Sequence, residues 1–204
     1  MDLALSGRSA LIADAASPVG MAIARRLAAE GCRPRLAGRD TKTLEALALA
    51  LEGGAEILPA DLRDPVEADV LALRSDDVDL LVACAGKAPP ADVAPPLDHG
   101  WEDRVLGLSG LIREIHSLMA QRADGRPKAI VAAGMTPLSL GAQAGNAALF
   151  AVARHLANQK VPGLQIASVD PGTATPDEVA AAIAFLASPL ACCLNGQILV
   201  LGGV

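Results

Sequence analysis

Short apolar runs alternate with helical patterns along the 204-residue chain, and this alternation limits the possible folds more than any other feature. It is typical of β-α-β units, in which parallel strands form a buried sheet and helices cover its faces. The apolar runs predict seven strands, at Ser9–Ala13, Arg35–Ala37, Glu56–Pro59, Leu80–Ala83, Ala129–Ala133, Gln165–Val169 and Gln197–Leu201. We therefore expect an α/β fold, a single Rossmann-type doubly wound parallel sheet of about seven strands with helices on both faces.

The segments between the apolar runs predict six helices, at Val19–Glu30, Thr41–Leu51, Val66–Arg74, Trp101–Arg122, Gln143–Gln159 and Asp177–Ala187. Two helix starts are marked by capping residues. Ser17 is a good N-cap and Pro18 suits the first helical position, while Thr175 and Glu178 have the spacing of a capping box. The one linker-like segment, residues 87–100, reads as an internal loop. We expect residues 1–204 to form one domain.

Charge and hydropathy patterning exclude several classes of protein. The net charge of -6 has no basic block, which argues against a nucleic-acid partner. No apolar run approaches the roughly 20 residues of a membrane span, and Asp2 and Arg8 interrupt any N-terminal signal sequence. We expect a reduced, cytoplasmic protein without a membrane partner or a metal site, since four cysteines show neither metal-ligand nor disulfide spacing: Cys32, Cys84, Cys192 and Cys193.

Five stretches follow a known pattern in order and spacing. They are LSGRSALIADAASPVGMAIARRLAAEG, RLAGRD, LPADLRDP, DLLVACAG and the tail SVDPGTATPDEVAAAIAFLASPLACCLNGQILVLGG. With these stretches, nearly the whole chain resembles the short-chain dehydrogenase/reductase family. The resemblance implies a nicotinamide-dependent oxidoreductase, usually a dimer or tetramer. Function nevertheless depends on the residues of the site and not on the fold alone.

The family's glycine-rich cofactor loop falls on residues 13–20, with Asp14 and Pro18 where its first two glycines belong. In the family those glycines let the backbone approach the cofactor pyrophosphate at a helix N-terminus. A carboxylate there would oppose a phosphate by about 4 kcal/mol, for two unit charges ~4 Å apart at an effective dielectric near 20. Alternatively, Asp14 points to solvent or binds within its own turn. We expect no cofactor in this chain.

Four cofactor-type positions remain, and we interpret them as vestigial: Gly20, Arg39, Asp61 and Gly86. The resemblance implies that Arg39 would face an NADP 2′-phosphate and that Asp61 would contact adenine. It also implies that the backbone at Gly86 would run past the cofactor. Each also has an ordinary structural role. Arg39 can be a solvated strand end, Asp61 can cap the following turn, and Gly86 can end a buried strand.

At the four positions that align with the family's catalytic residues, the resemblance finds none of the expected residue types. Family members use a tyrosine acid, a lysine that lowers its pKa, a serine and an asparagine, but this chain contains no tyrosine. Other reactive groups are scattered or lack a base: His99, His116, His155, Cys84 and Ser139. We therefore predict no catalytic residue. The aligned positions are Ala142 (tyrosine), Asn146 (lysine), Gly134 or Met135 (serine), and Leu106 or Gly107 (asparagine).

The sequence also lacks the segment that forms a substrate lid in the family. Family enzymes insert a lid after the Pro171-Gly172 turn, and such a lid excludes water from the reaction. Here PGTA runs directly into the TPDEVA helix cap.

Three functions remain open. The first is a non-catalytic subunit in a hetero-oligomer, a dimer or tetramer, whose catalytic partner from the same family carries NAD or NADP. The second is an NAD(P)-dependent oxidoreductase with atypical catalytic residues, and the third is a Rossmann-type ligand sensor. The first is favoured because the tail GQILVLGG is intact, and this tail usually lies at a subunit interface in the family. The family includes heteromeric dehydrogenases with one degenerate subunit, such as hydroxybenzylsuccinyl-CoA dehydrogenase.

Helical spacing predicts where a partner would bind. On the helix from Gln143, positions 142, 146, 149 and 153 share one face, which by the resemblance looks into the old active site. The opposite face carries Ala144, Ala148, Ala151 and His155, a smooth surface for another helix. Alternatively, alanine is simply a good helix former at exposed positions. We expect the helix Trp101–Arg122 to pack beside this surface and a partner's helix pair to complete a four-helix bundle.

Overall fold

The computed structural model describes residues 2–86, 101–136 and 140–202, without the side chains of residues 101–104 and 140. The predicted loop at 87–100, together with His99 and Ser139, lies outside the described residues. No helix in the described ranges is long and apolar enough to cross a membrane.

Strands and helices alternate along the chain as predicted. All seven strands run parallel in one sheet, in the order β3-β2-β1-β4-β5-β6-β7, which confirms the doubly wound α/β fold. The elements are β1 (Ser9–Ala13), α1 (Pro18–Ala29), β2 (Arg33–Gly38), α2 (Thr41–Ala50), β3 (Glu56–Pro59), α3 (Pro65–Leu73), β4 (Leu80–Cys84), α4 (Trp101–Gln121), β5 (Lys128–Ala133), α5 (Leu140–Ala157), β6 (Leu164–Asp170), α6 (Pro176–Ala187), a 3-10 helix (Pro189–Leu194) and β7 (Ile198–Val200).

Two boundaries differ most from the sequence expectation. Strand β2 begins at Arg33 instead of Arg35, because Arg33 already pairs with Ser9 of β1. Helix α5 begins at Leu140 instead of Gln143, because Gly141 is a poor helix former and conceals the first turn in the sequence.

The sheet separates two apolar cores. Alternate residues of each strand point to opposite faces, so Ile12 packs against α1, α2 and α6 while Leu11 packs against α3, α4 and α5. The strand order reverses between β1 and β4, and the carboxyl ends of strands beside such a reversal form the usual ligand crevice. The candidate site therefore lies where β1, β4 and β5 end.

The predicted helix caps are confirmed. The Gly20 N–H donates to Ser17 Oγ at 3.0 Å, and Pro18 is the first residue of α1. At α6, Thr175 and Glu178 form both bonds of the capping box. These local contacts set the direction in which α1 and α6 leave the crevice edge.

Candidate functional site

A small cavity marks the crevice at the carboxyl ends of the strands. Its volume is about 60 Å³, whereas an apolar cavity of roughly 150 Å³ holds a benzene molecule. The structure brings Arg39 and Asp61 together here with Asp14 and Cys84. Gly86 leaves β4 with φ +74°, a conformation that suits glycine. The described crevice is therefore narrow, and ionisable side chains line it.

In the loop after β1, an aspartate occupies a backbone conformation that usually favours glycine. Asp14 has φ +53°, in the left-handed region that aspartate tolerates better than most residues. Its carbonyl accepts bonds from the N–H and the Oγ of Ser17, at 3.0 and 2.8 Å. A Cβ at Gly20 would lie 2.4 Å from the same carbonyl oxygen, so Gly20 permits the close approach of α1. The main change in this loop is therefore a half-buried carboxylate that lines the crevice.

The carboxylate of Asp61 is engaged by a neighbour that the sequence analysis did not select. Arg63 donates to it through Nε at 3.0 Å and through Nη2 at 2.6 Å, and Arg39 Nε lies 3.8 Å from Oδ1. The hydrogen bond from Arg63 is the main reason that the pKa of Asp61 falls to about 2. A ligand that used Asp61 would have to compete with Arg63. The only sequence signal was the arginine two positions later in PADLRDP.

Cys84 is a packing residue at the base of the crevice. It is buried, and burial raises the pKa of its thiol well above the usual range, with a smaller contribution from the nearby charge of Asp14. The thiolate is the nucleophilic form of cysteine. Cys84 therefore stays a neutral thiol in this environment.

The positions aligned with the family's serine and lysine now touch each other. The Asn146 side chain is buried, and it both accepts from the Met135 N–H and donates to the Met135 carbonyl, each at 2.7 Å. A Cβ at Gly134 would lie 2.7 Å from this amide group. We call this contact of Asn146 with Gly134 and Met135 the amide clasp. The clasp occupies the space that a serine side chain at Gly134 would need.

The positions aligned with the tyrosine and the asparagine are closed in a similar way. Ala142 is buried in the core between α5 and the sheet. Leu106 is exposed, whereas Gly107 is buried against the loop after β3. A Cβ at Gly107 would lie 1.4 Å from the Leu62 carbonyl oxygen, so the backbone occupies the place of any side chain at 107.

The connection from β6 to α6 is a tight turn, as the sequence predicted. Residues 171–175 make up the whole connection, and the Ala174 N–H donates to the Pro171 carbonyl at 2.8 Å. Gly172 has φ +51°, and a Cβ there would lie 2.0 Å from the Leu201 carbonyl. Thr173 Oγ1 donates to the Gly202 carbonyl at 2.9 Å. The chain that follows β7 thus braces the turn where family enzymes carry a lid.

The remaining histidines lie apart from the crevice. His116 is buried in α4, and burial lowers its pKa, which favours the neutral imidazole. His155 is exposed on α5. Within the described ranges, no group of three His, Cys, Asp or Glu residues is arranged to hold a metal ion.

A wide groove runs between α3, α4 and α5 on the outer surface. Its volume is about 650 Å³, and Gly110 of α4 and Ala151 and His155 of α5 line it. Helix α4 packs beside α5, as predicted. The two faces of α5 are also as predicted. On the outward face, Ala151 and His155 are exposed and Ala144 and Ala148 are half-buried. The four residues of the inner face are buried: Ala142, Asn146, Leu149 and Ala153.

The chain is similar to several oxidoreductases. It is 26% identical over an alignment of 234 residues to a 3-oxoacyl-(acyl-carrier-protein) reductase of Rickettsia prowazekii, covering 98% of this chain and 97% of the relative. It is 31% identical over 121 residues to an uncharacterized oxidoreductase of Staphylococcus haemolyticus, covering 56% of this chain and 52% of the relative. The chain thus spans about half the length of the curated relatives that it matches first. No protein-family model matches the sequence.

Solved structures share the fold over nearly the whole chain. A short chain dehydrogenase/reductase family protein superposes with a TM-score of 0.82 at 26% identity, covering 98% of this chain and 97% of that protein. An L-sorbose reductase from Gluconobacter frateurii, solved with NADPH and L-sorbose, also has a TM-score of 0.82, with coverage of 100% and 98%. Its identity is 20%, so it supports the fold alone.

Proposed function

We propose that this chain is a member of the short-chain dehydrogenase/reductase family, as its relatives and its fold support, and that it is a non-catalytic subunit of a hetero-oligomeric oxidoreductase. The observation that carries the proposal is the amide clasp. Asn146 spends both of its polar atoms on the Met135 backbone and fills the space beside Gly134. These two bonds fix the orientation of the amide toward the backbone of β5's end rather than toward the position of a lysine ammonium.

In the described crevice, the family's proton donor for acid-base catalysis is absent. Proton transfer during hydride transfer needs a positioned group whose pKa lies near the working pH. The chain has no tyrosine, Ala142 stands at the aligned position, and Cys84 is held as a neutral thiol. Within the described residues, neither the position aligned with the tyrosine nor Cys84 therefore offers an acid to a carbonyl oxygen.

Cofactor binding is opposed by charge and by space. The carboxylate of Asp14 stands where the pyrophosphate would approach, and unit charges in such a position repel by about 4 kcal/mol at ~4 Å. Arg63 already holds Asp61. We expect this chain to carry no nicotinamide cofactor and the catalytic partner to carry NAD or NADP.

The groove between α3, α4 and α5 is the proposed site of assembly. Its volume of about 650 Å³ is tenfold that of the crevice cavity, and small residues on both helices allow close approach of another helix. Leu106 of α4 is a large apolar side chain that lines this groove and is exposed. We propose that a helix pair of a catalytic family member binds here.

A second candidate function is an NAD(P)-dependent oxidoreductase with atypical catalytic residues. The observation in its favour is that Arg39 and Asp61 stand together at the crevice, where the family binds the adenosine part of the cofactor. A ligand sensor that uses the same crevice would share this feature. Both candidates need more room than the cavity of about 60 Å³ that Arg39 and Asp61 line.

Titration calorimetry with NAD and NADP on the isolated chain separates these functions. We expect no micromolar isotherm with either cofactor. Asp14→Gly tests the repulsion between the carboxylate and the cofactor directly. It removes the carboxylate at a position where glycine also fits the left-handed backbone. A micromolar isotherm of the unaltered chain that Arg39→Gln weakens would favour the oxidoreductase or the ligand sensor over the subunit.

A further inference from the structure

A second cavity lies at the opposite edge of the sheet, where β1, β5 and β6 begin. Its volume is about 390 Å³, within the range of roughly 300–1,000 Å³ typical of small-molecule sites. Three cationic residues line it, Arg8, Lys128 and Lys160, and none of its lining residues is acidic. This one-sided charge is unexpected in a chain whose net charge is -6.

Arg8 is a buried cation that forms no salt bridge with a carboxylate of the described residues. Its side chain is 6% exposed, and it donates to the carbonyl oxygens of Ala187, Asp79 and Pro127 at 2.7, 3.0 and 3.0 Å. Its Nε is buried and has no partner among the described residues. The nearby Asp79 carboxylate is already engaged by Arg122 at 3.0 Å and Arg126 at 3.4 Å. A buried charge is costly unless it is paired, so Arg8 is a favourable site for an added anion.

Lys128 contributes a second buried amine. It is 5% exposed, and its Nζ donates to the Arg122 carbonyl at 3.0 Å and to Asp124 Oδ1 at 2.8 Å. An ammonium group has three N–H donors, so one remains for a ligand.

Lys160 stands at the rim of the cavity, just after α5. Its φ is +52°, the left-handed conformation in which a helix usually ends with glycine. The dipole of α5 favours a cation near this end of the helix. That attraction does not account for the lack of any acidic residue in the lining of the cavity.

We propose that this cavity binds a small organic anion, a carboxylate or a phosphate monoester with an apolar body. Arg8, Lys128 and Lys160 would hold the charged group, and the side chains of Val161 and Leu164 would contact the apolar body. The proposal does not depend on the subunit function, because the cavity lies at the edge of the sheet remote from the crevice.

Two neighbouring cysteines provide a direct test. Cys192 and Cys193 are both exposed and free, but only Cys192 lines the cavity. Benzoate and phenyl phosphate serve as probes at constant ionic strength, with benzamide as the neutral control. Peptide mass spectrometry measures the alkylation rate of each cysteine by iodoacetamide. We expect an anion to slow the reaction of Cys192 about tenfold at ten times its Kd, by mass action, and to leave Cys193 unchanged.

Matched lysine variants sharpen the result. Lys160→Gln should weaken the protection of Cys192 about two- to fivefold, as for an exposed ion pair, while Lys42→Gln on α2 should have no effect. The stronger response to benzoate or to phenyl phosphate identifies the preferred headgroup. The proposal is overturned if protection fails to saturate at tens of millimolar anion, if benzamide protects equally, if both cysteines respond alike, or if Lys160→Gln behaves as Lys42→Gln does.

Discussion

The crevice edge of the sheet and the outer surface of α4 and α5 differ in how their groups are used. At the crevice, side chains at the aligned functional positions bind the chain itself, as Asn146 binds Met135 and Arg63 binds Asp61. On the outer surface, the groove between α3, α4 and α5 has a volume of about 650 Å³, and Ala151 and His155 remain exposed. In the described part of the crevice these side chains are engaged by internal contacts, whereas the groove presents exposed residues. The difference favours a function in assembly over a function in the crevice.

The most severe test of the contacts at the crevice is to place an asparagine at Gly107, one of the two positions that align with the family's asparagine. Gly107→Asn would force a side chain into the Leu62 carbonyl, 1.4 Å from the new Cβ. We expect a loss of about 3 kcal/mol or more in the free energy of unfolding, at the upper end of overpacking effects. Urea denaturation followed by circular dichroism measures it.

Gly110→Ala is the matched control for this change. It lies one turn along α4, and a Cβ there meets nothing within 4 Å. It should be neutral or stabilising by up to about 1 kcal/mol. If Gly107→Asn were as well tolerated as this control, the close approach of Leu62 would be wrong.

A double-mutant cycle at the amide clasp has a smaller expected effect. Asn146→Ala leaves the N–H and carbonyl of Met135 without their partner, and should cost about 2 kcal/mol. Gly134→Ala should also destabilise, because its Cβ would meet the Asn146 amide at 2.7 Å. The double variant should cost at least about 1 kcal/mol less than the sum, since removing the amide makes room for the methyl group. Additive losses in urea denaturation would contradict the clasp.

The pair of Asp61 and Arg63 should have the smallest effect. The folded-state pKa of Asp61, about 2, lies below its usual value, so its contribution is present at neutral pH and is lost as the pH falls through about 2. Because the pair is partly exposed, we expect Asp61→Asn to cost only about 0.5 kcal/mol at pH 7. This difference should begin to shrink below about pH 4. A difference between the two proteins that stays constant from pH 7 to pH 2 would show that the charge of Asp61 is not the cause.

The sequence predicted what depends on near neighbours along the chain. The Ser17 cap and the Thr175–Glu178 capping box each involve residues three positions apart, and the strands follow from local apolar runs. The contact of Gly107 with Leu62 joins positions 45 residues apart, and no local pattern indicates it. Residue types alone gave the prediction that the positions aligned with the family's catalytic residues hold other residues. They did not show that Asn146 fills the space beside Gly134, because that depends on how α5 packs against β5.

Light scattering of this chain, mixed with the tyrosine-bearing family members of its own genome, tests the central claim most directly. We predict a hetero-oligomer with one of them. Ala151→Arg should abolish it by placing a charge in the groove, while the fold survives because Ala151 is exposed in the isolated chain. Ala181→Arg, at an exposed position of α6 on the other face of the sheet, should assemble normally. A chain that stays monomeric beside every such relative, or an Ala151→Arg variant that assembles as well as Ala181→Arg, would contradict the account.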